Sequence, residues 1–146
     1  MTSSLLYVSQ SNLRLPAQAA EVDRIVATAR ARNALLNVTG ALVFTQARFA
    51  QILEGPEASI AELMASIERD KRHRDVEVVL VETIAERRFP DWSMAYRGGS
   101  IFVDRHIKPL LQHGVSDSTR SDTATKLLDL MVEVTQREQQ RAKSDA

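Results

Sequence analysis

The chain has 146 residues, 44% of them hydrophobic, with 19 Lys and Arg balanced by 19 Asp and Glu and no cysteine. That length suits one domain with a short appendage and can bury a core without disulfide or metal staples. The neutral balance excludes a global field for nucleic acid or an anionic membrane surface, and the absent thiols exclude cysteine catalysis, thiolate metal sites and disulfides.

No signal-type apolar segment follows Met1, and no apolar run is long enough to span a bilayer, so a cytoplasmic protein is expected. Leu5-Leu6-Tyr7-Val8-Ser9 reads as a first strand with Leu5, Tyr7 and Ser9 on one face. From Pro16 the pattern turns helical: Val22, Ile25, Val26 and Ala29 form a stripe, and the helix is expected to end near Arg32-Asn33. Asn37 to Gly40 reads as a turn. A hairpin follows, with Ala41 to Phe44 as one strand, a reversal at Gln46 to Arg48, and Phe49 to Glu54 as the other.

Gly55-Pro56 stops the hairpin and starts a second helix striped by Ile60, Leu63, Met64 and Ile67. Met64 reads as core filler. Arg69 to Asp75 is a dense charged connection, and Val76 to Ile84 a long β-branched strand. A last strand follows Phe89-Pro90, with Trp92, Met94 and Tyr96 alternating against Ser93 and Ala95. The order through Arg97 is βαββαββ, which contains the ferredoxin-like βαββαβ arrangement. The expected class is therefore α+β, an antiparallel-rich sheet with two helices on one face and one added strand.

Gly98-Gly99 marks a boundary between residues 1–97 and a helical extension at 98–146. Asp104 to His113 can form a short helix stopped by Gly114, with Pro109 restricting its start. Val115 to Thr123 reads as a polar loop, with Ser121 or Asp122 capping a last helix striped by Ala124, Leu127, Leu128, Met131 and Val134. Gln136 to Ala146 is expected to fray. The apolar stripe needs a cover, and the free face of the sheet and another subunit both qualify.

Gln51 is the residue that needs explaining, because it lies between Phe49 and Leu53 on what reads as a core face. A buried carboxamide left unpaired costs about 1–3 kcal/mol per group, so a polar side chain, a trapped water or a polar ligand must satisfy it. Tyr7 occupies a similar position on the first strand, and Asn33 ends the first helix. Beside apolar walls of Ile25, Phe49 and Leu53 these three would suit a planar heteroaromatic ligand, although core tyrosines bonded to core amides are ordinary. Arg72 and His73 could hold a phosphate or a carbonyl edge, or belong to a solvated loop. His106 and His113 lack a third ligand, which discounts metal. Neither a nucleophile elbow nor a glycine-rich phosphate loop occurs.

These residues carry a resemblance. Tyr7-x-Ser9, Asn33, Thr39-Gly40, Phe49-x-Gln51-x-Leu53-Glu54-Gly55, Asp70-x-Arg72-His73 and Arg88-Phe89-x-x-Trp92-x-Met94 stand in order over about two-thirds of the chain. In this the chain resembles the BLUF family of blue-light receptors that use flavin. The resemblance implies the ferredoxin-like fold, with a flavin, FAD in preference to FMN or riboflavin, between the two helices. It implies that Tyr7 and Gln51 are the photoactive pair and that Asn33 binds the flavin C4 carbonyl edge. Arg32, Asp70, Arg72 and His73 would border the ring or its tail, with Ile25, Phe49 and Leu53 as wall. Arg32 stands where some members carry His. An excited flavin is a strong oxidant, so Tyr7 can lose an electron and a proton to it through Gln51. The amide then rotates or tautomerises and absorption shifts red. Trp92 and Met94 on the last strand would carry the switch outward.

Fewer than fifty residues follow Arg97, too few for a cyclase or phosphodiesterase domain, so a sensor without enzymatic activity is expected. It would signal through its C-terminal helices to an unidentified protein, as a homodimer or higher oligomer, with no direct contact to nucleic acid or membrane. The alternatives are a non-photoactive small-molecule regulatory module and an acylphosphatase-like hydrolase, which shares the topology but requires a glycine-bounded phosphate loop absent here.

Overall fold

The computed structural model describes residues 2–14, 17–45, 47–90, 95–98, 101–112 and 116–144. Strand β1 spans Thr2–Ser11, helix α1 Ala19–Leu35, β2 Thr39–Phe44, β3 Arg48–Gly55, α2 Glu57–Arg69, β4 His73–Ile84 and β5 Ala95–Gly98. Helix α3 at Ile101–Ile107, a 3-10 turn at Lys108–Leu111 and helix α4 at Asp117–Ser144 follow. The described strands form one sheet in the order β4-β1-β3-β2-β5, antiparallel except where β5 runs parallel to β2. The first four strands with α1 and α2 make the expected α+β ferredoxin-like unit, and β5 is the added strand.

Two cores flank the sheet. On one face Tyr7, Leu42, Phe49 and Leu53 pack with Val22 and Val26 of α1 and with Ile60, Leu63 and Met64 of α2. On the other, Leu6, Val8, Val43 and Ile52 pack with Val103 and Ile107 of α3 and with Leu127 and Met131 of α4. Of the two covers open to the last helix, the free face of the sheet is the one it takes. Burial on both faces explains why β1 and β2 are nearly continuous apolar runs rather than alternating ones.

Several boundaries differ from expectation. Helix α1 begins at Ala19 and runs to Leu35, where Val38 donates its backbone N–H to the Asn33 carbonyl at 2.9 Å and Asn37 turns left-handed at φ 58°. Pro16 lies outside the described residues. Strand β4 starts three residues early, at His73, because Ser11 and Gln10 of β1 pair with His73 and Arg74, and charged side chains are tolerated on this edge strand. Trp92, Ser93 and Met94 lie outside the described residues, and β5 is described only from Ala95.

The short helix spans 101–107 rather than 104–113, because Pro109 cannot donate a backbone hydrogen bond and the chain tightens into the 3-10 turn. His113 and Gly114 lie outside the described residues. Helix α4 begins at Asp117, not after Ser121 or Asp122. Ser116 caps it, accepting the Thr119 backbone N–H on Oγ at 3.3 Å. Its first turns are polar and therefore silent in hydrophobic periodicity. The helix also continues to Ser144 where fraying was expected.

Gly40 belongs to β2, not to a turn. A Cβ there would lie 1.9 Å from the Ile52 carbonyl oxygen, so β2 approaches β3 in a way only glycine permits.

Candidate functional site

Between α1, α2 and the sheet lies a cavity of about 100 Å³. On this measure one water needs roughly 10–15 Å³, so the space is far larger than the voids of a close-packed interior. Tyr7, Ile25, Arg32, Asn33, Phe49, Gln51, Asp70, Arg72 and His73 all line it, so the structure brings together most of the residues singled out in the sequence. Leu53 is fully buried in the same core, two residues beyond Gln51, and is not among the lining residues.

Tyr7 and Gln51 are directly opposite in the β1–β3 ladder, both buried, and the Tyr7 hydroxyl donates a hydrogen bond to Gln51 Oε1. Burial, and after it the negative charge of Asp70, hold the Tyr7 hydroxyl well above the ordinary phenol range. The phenol is thus kept as a donor. Asn33 is buried near the end of α1 and brings a second carboxamide to the wall.

At the rim, Arg72 Nη2 donates to Asp70 Oδ2 at 2.6 Å, and its Nε to Asp70 Oδ1 at 2.9 Å. Hydrogen bonding to Arg72 lowers the Asp70 carboxyl against the opposing effect of burial, and the same contact raises the Arg72 guanidinium. The Glu21 carboxylate of α1 approaches Arg72 Nη1 at 3.8 Å, so the arginine's charge is shared between two acids. Arg32 Nη1 donates to Ser66 Oγ at 2.6 Å and so ties α1 to α2 beside the cavity. His73 contacts the carbonyl oxygen of Ile67 through Nε2 at 2.6 Å and Ser9 Oγ through Nδ1 at 2.8 Å. A carbonyl only accepts, so Nε2 carries a proton, and the network closes if Ser9 donates to Nδ1. Both ring nitrogens are spent on protein partners, and the ring sits edge-on to Tyr7 and Phe49.

Helical spacing accounts for the lining residues not singled out as site residues in the sequence, of which Ala29 and Ile67 already stand on the expected apolar stripes. Thr28 and Ala29 follow Ile25 by three and four positions, and Ser66 and Ile67 follow Leu63 in the same way. Leu42 lines the cavity as the β2 partner of Gln51.

The model of the family described as BLUF, sensors of blue-light using FAD, matches residues 2–95. The chain belongs to the BLUF family. It is 37% identical over 93 residues to photoactivated adenylate cyclase subunit beta of Euglena longa, covering 63% of this chain and 11% of that protein. It is 33% identical over 89 residues to the blue light- and temperature-regulated antirepressor BluF of Escherichia coli (strain K12), covering 61% of this chain and 22% of that protein. The chain thus spans a small part of these curated relatives. Among solved structures, the dark state of the BLUF protein BlrB matches with a TM-score of 0.66 at 32% identity, over 85% of this chain and 96% of that one.

BLUF domains bind FAD to sense blue light, and the domain itself is a sensor rather than a catalyst. The residues present fit the isoalloxazine ring. Buried carboxamides at Asn33 and Gln51 offer donors and acceptors to an edge of carbonyls and ring nitrogens, while Ile25, Phe49 and Leu63 offer apolar surface to its faces and hydrocarbon edge. No helix among the described residues is long and apolar enough to cross a membrane.

Proposed function

We propose that this BLUF chain is a photoreceptor in which Tyr7 and Gln51 are the photoactive pair. The observation that carries this reading is the hydrogen bond from the Tyr7 hydroxyl to Gln51 Oε1 at the wall of the cavity. FAD, or FMN or riboflavin in its place, supplies a blue-light-absorbing group that becomes a strong oxidant when excited. Tyr7 would give up an electron to that excited group and a proton toward it by way of its hydrogen bond to Gln51 Oε1, and both would return to Tyr7 as the dark electron count is restored. Gln51 need not return to the same arrangement, because a carboxamide that has rotated or tautomerised satisfies its neighbours differently with the same atoms. Asn33 holds the C4 carbonyl edge. Arg32, Asp70, Arg72 and His73 border the ring or its tail, Ile25 and Phe49 shape the wall, and Leu53 packs in the core of the same sheet face.

Residues 1–97 are the sensing unit and 98–146 the output extension. Trp92 and Met94, ahead of β5, pass the switch to α3 and α4 and from there to a protein partner. The burial of α3 and α4 against the sheet face opposite the cavity supports this route. We place the protein in the cytoplasm as a homodimer or higher oligomer that contacts neither nucleic acid nor membrane directly. A light-minus-dark absorption spectrum of the flavin-loaded chain tests the reading: a reversible red shift is expected. Protein that takes up no flavin, or flavin-bound protein with no shift, overturns it.

A further inference from the structure

Glu54 stands three residues beyond Gln51 on β3, points to the opposite face of the sheet and is fully buried. Its neighbours in the ladder are Ser4 of β1 and Thr39 of β2. Glu54 Oε1 accepts the backbone N–H of Arg88 at 2.8 Å and of Phe89 at 3.0 Å. Oε2 is approached by Arg88 Nη1 at 3.5 Å and makes no hydrogen bond among the described residues. The same guanidinium reaches Ser4 Oγ at 3.2 Å and Glu82 Oε2 of β4 at 2.9 Å. Arg87 donates to Thr39 Oγ1 at 3.0 Å and to the Asn37 carbonyl at 2.9 Å. Phe89 is buried in the core shared with α3 and α4.

Burying a carboxylate is unfavourable, and a site that only needed filling would do better with an apolar side chain. Here one carboxylate oxygen gathers two consecutive amides in the middle of the β4–β5 connection, the stretch whose sequence continues through Trp92 and Met94 to β5. The carboxylate and Gln51 share one strand, so any displacement of β3 moves the acceptor to which those amides are tied.

We propose that Glu54 is a positioning residue of the photosensor, fastening Arg88 and Phe89 to the strand that carries Gln51 so that a shift of β3 reaches β5 and the C-terminal helices. This rests on the photosensor reading above. Two variants separate reach from charge. Glu54→Asp keeps the charge and withdraws the acceptor by one methylene, whereas Glu54→Gln keeps the reach and removes the charge.

The flavin-loaded full chain is followed by absorption and by amide hydrogen exchange in the dark and under blue light. Both variants should keep the red shift. In Glu54→Asp the Arg88 and Phe89 amides should exchange at least about tenfold faster in the dark, and the light-minus-dark difference over 95–98 and 101–107 should fall to less than about half of the wild-type value. Glu54→Gln should stay within about twofold of wild type in both measurements. Unchanged dark exchange in Glu54→Asp overturns the proposal. So does a full light response at 95–107 with those amides loosened, and so does a Gln variant that behaves like the Asp variant. A wild-type chain without a red shift overturns the photosensor reading and the relay together, a failure told apart from the others because they leave the red shift intact.

Discussion

Tyr7 and Gln51 face each other across the β1–β3 ladder, and the phenol of one donates to the carboxamide oxygen of the other. Cross-strand partners on one face lie about 4.5–5.5 Å apart at Cβ, so the sheet itself fixes the contact rather than any loop. Tyr7→Phe should keep the fold and the flavin but lose the red shift. It should also lower stability by about 1–2 kcal/mol, because Gln51 Oε1 loses its buried donor. Gln51→Leu should bind flavin and lose the shift as well. Light-minus-dark spectra and urea unfolding of each variant check this, and a normal photocycle in both would remove the assigned roles.

The same phenol sets an alkaline expectation. Burial first, and then Asp70, raise its folded value above the unfolded one. A raised value means that the neutral form contributes stability fully present below about pH 10, which is lost as pH rises through the folded value. Phenolate absorbance should therefore show one tyrosine that ionises only as the protein unfolds, and Tyr7→Phe should abolish that step. A folded wild-type protein with every tyrosine titrating near pH 10 contradicts it.

Much of this was legible in the sequence because period-2 and period-3.6 patterns report which face is buried. Gln51 stood out as the one carboxamide on an apolar face, and Tyr7 and Asn33 were found with it. Ile67 was legible as part of the apolar stripe but not as a cavity residue, and Ser66 was not legible because a polar side chain three positions beyond Leu63 leaves no mark in hydrophobic periodicity. The start of α4 was missed because its first turns bury little. Glu54 could not be read at all as an anchor. Its partners are backbone amides more than thirty residues away, and backbone groups leave no mark in a sequence. Gly40 was visible but misread, since a glycine required by close strand approach looks the same in sequence as one required by a turn.

Arg48 and Asp104 join the hairpin to α3. Arg48 Nη1 donates to Asp104 Oδ2 at 2.7 Å, and Thr45 Oγ1 donates to Asp104 Oδ1 at 2.7 Å. The two charged side chains are only 18% and 24% exposed, which places the pair between the surface and buried regimes. Asp104→Ala should cost about 1–3 kcal/mol in urea unfolding. Arg48→Met combined with it should cost less than the sum of the two single changes, because the uncompensated guanidinium is gone. The red shift should persist, since neither residue lines the cavity. Strict additivity would show that the pair is not coupled.

Gly40 and Gly55 offer a ranked test of the packing that holds β3 in place. A Cβ at Gly40 meets the Ile52 carbonyl oxygen at 1.9 Å, deep between two paired strands where neither backbone can retreat without breaking the ladder. At Gly55 the nearest atom is the Asn37 carbonyl oxygen at 2.8 Å, and the next is a Val38 methyl at 3.1 Å, beside the connection before β2. Gly40→Ala should therefore cost about 3 kcal/mol or more and reduce flavin retention, because Leu42 and Gln51 at the cavity wall lie on the two strands it forces apart. Gly55→Ala should cost less, about 1–2 kcal/mol, since the overlap is smaller and lies against the Asn37–Val38 connection, whose backbone must move to relieve it, rather than between two paired strands. Urea midpoints and flavin content of the purified variants decide the order. A loss at Gly55 equal to that at Gly40 would mean that strand proximity is not what demands glycine at position 40.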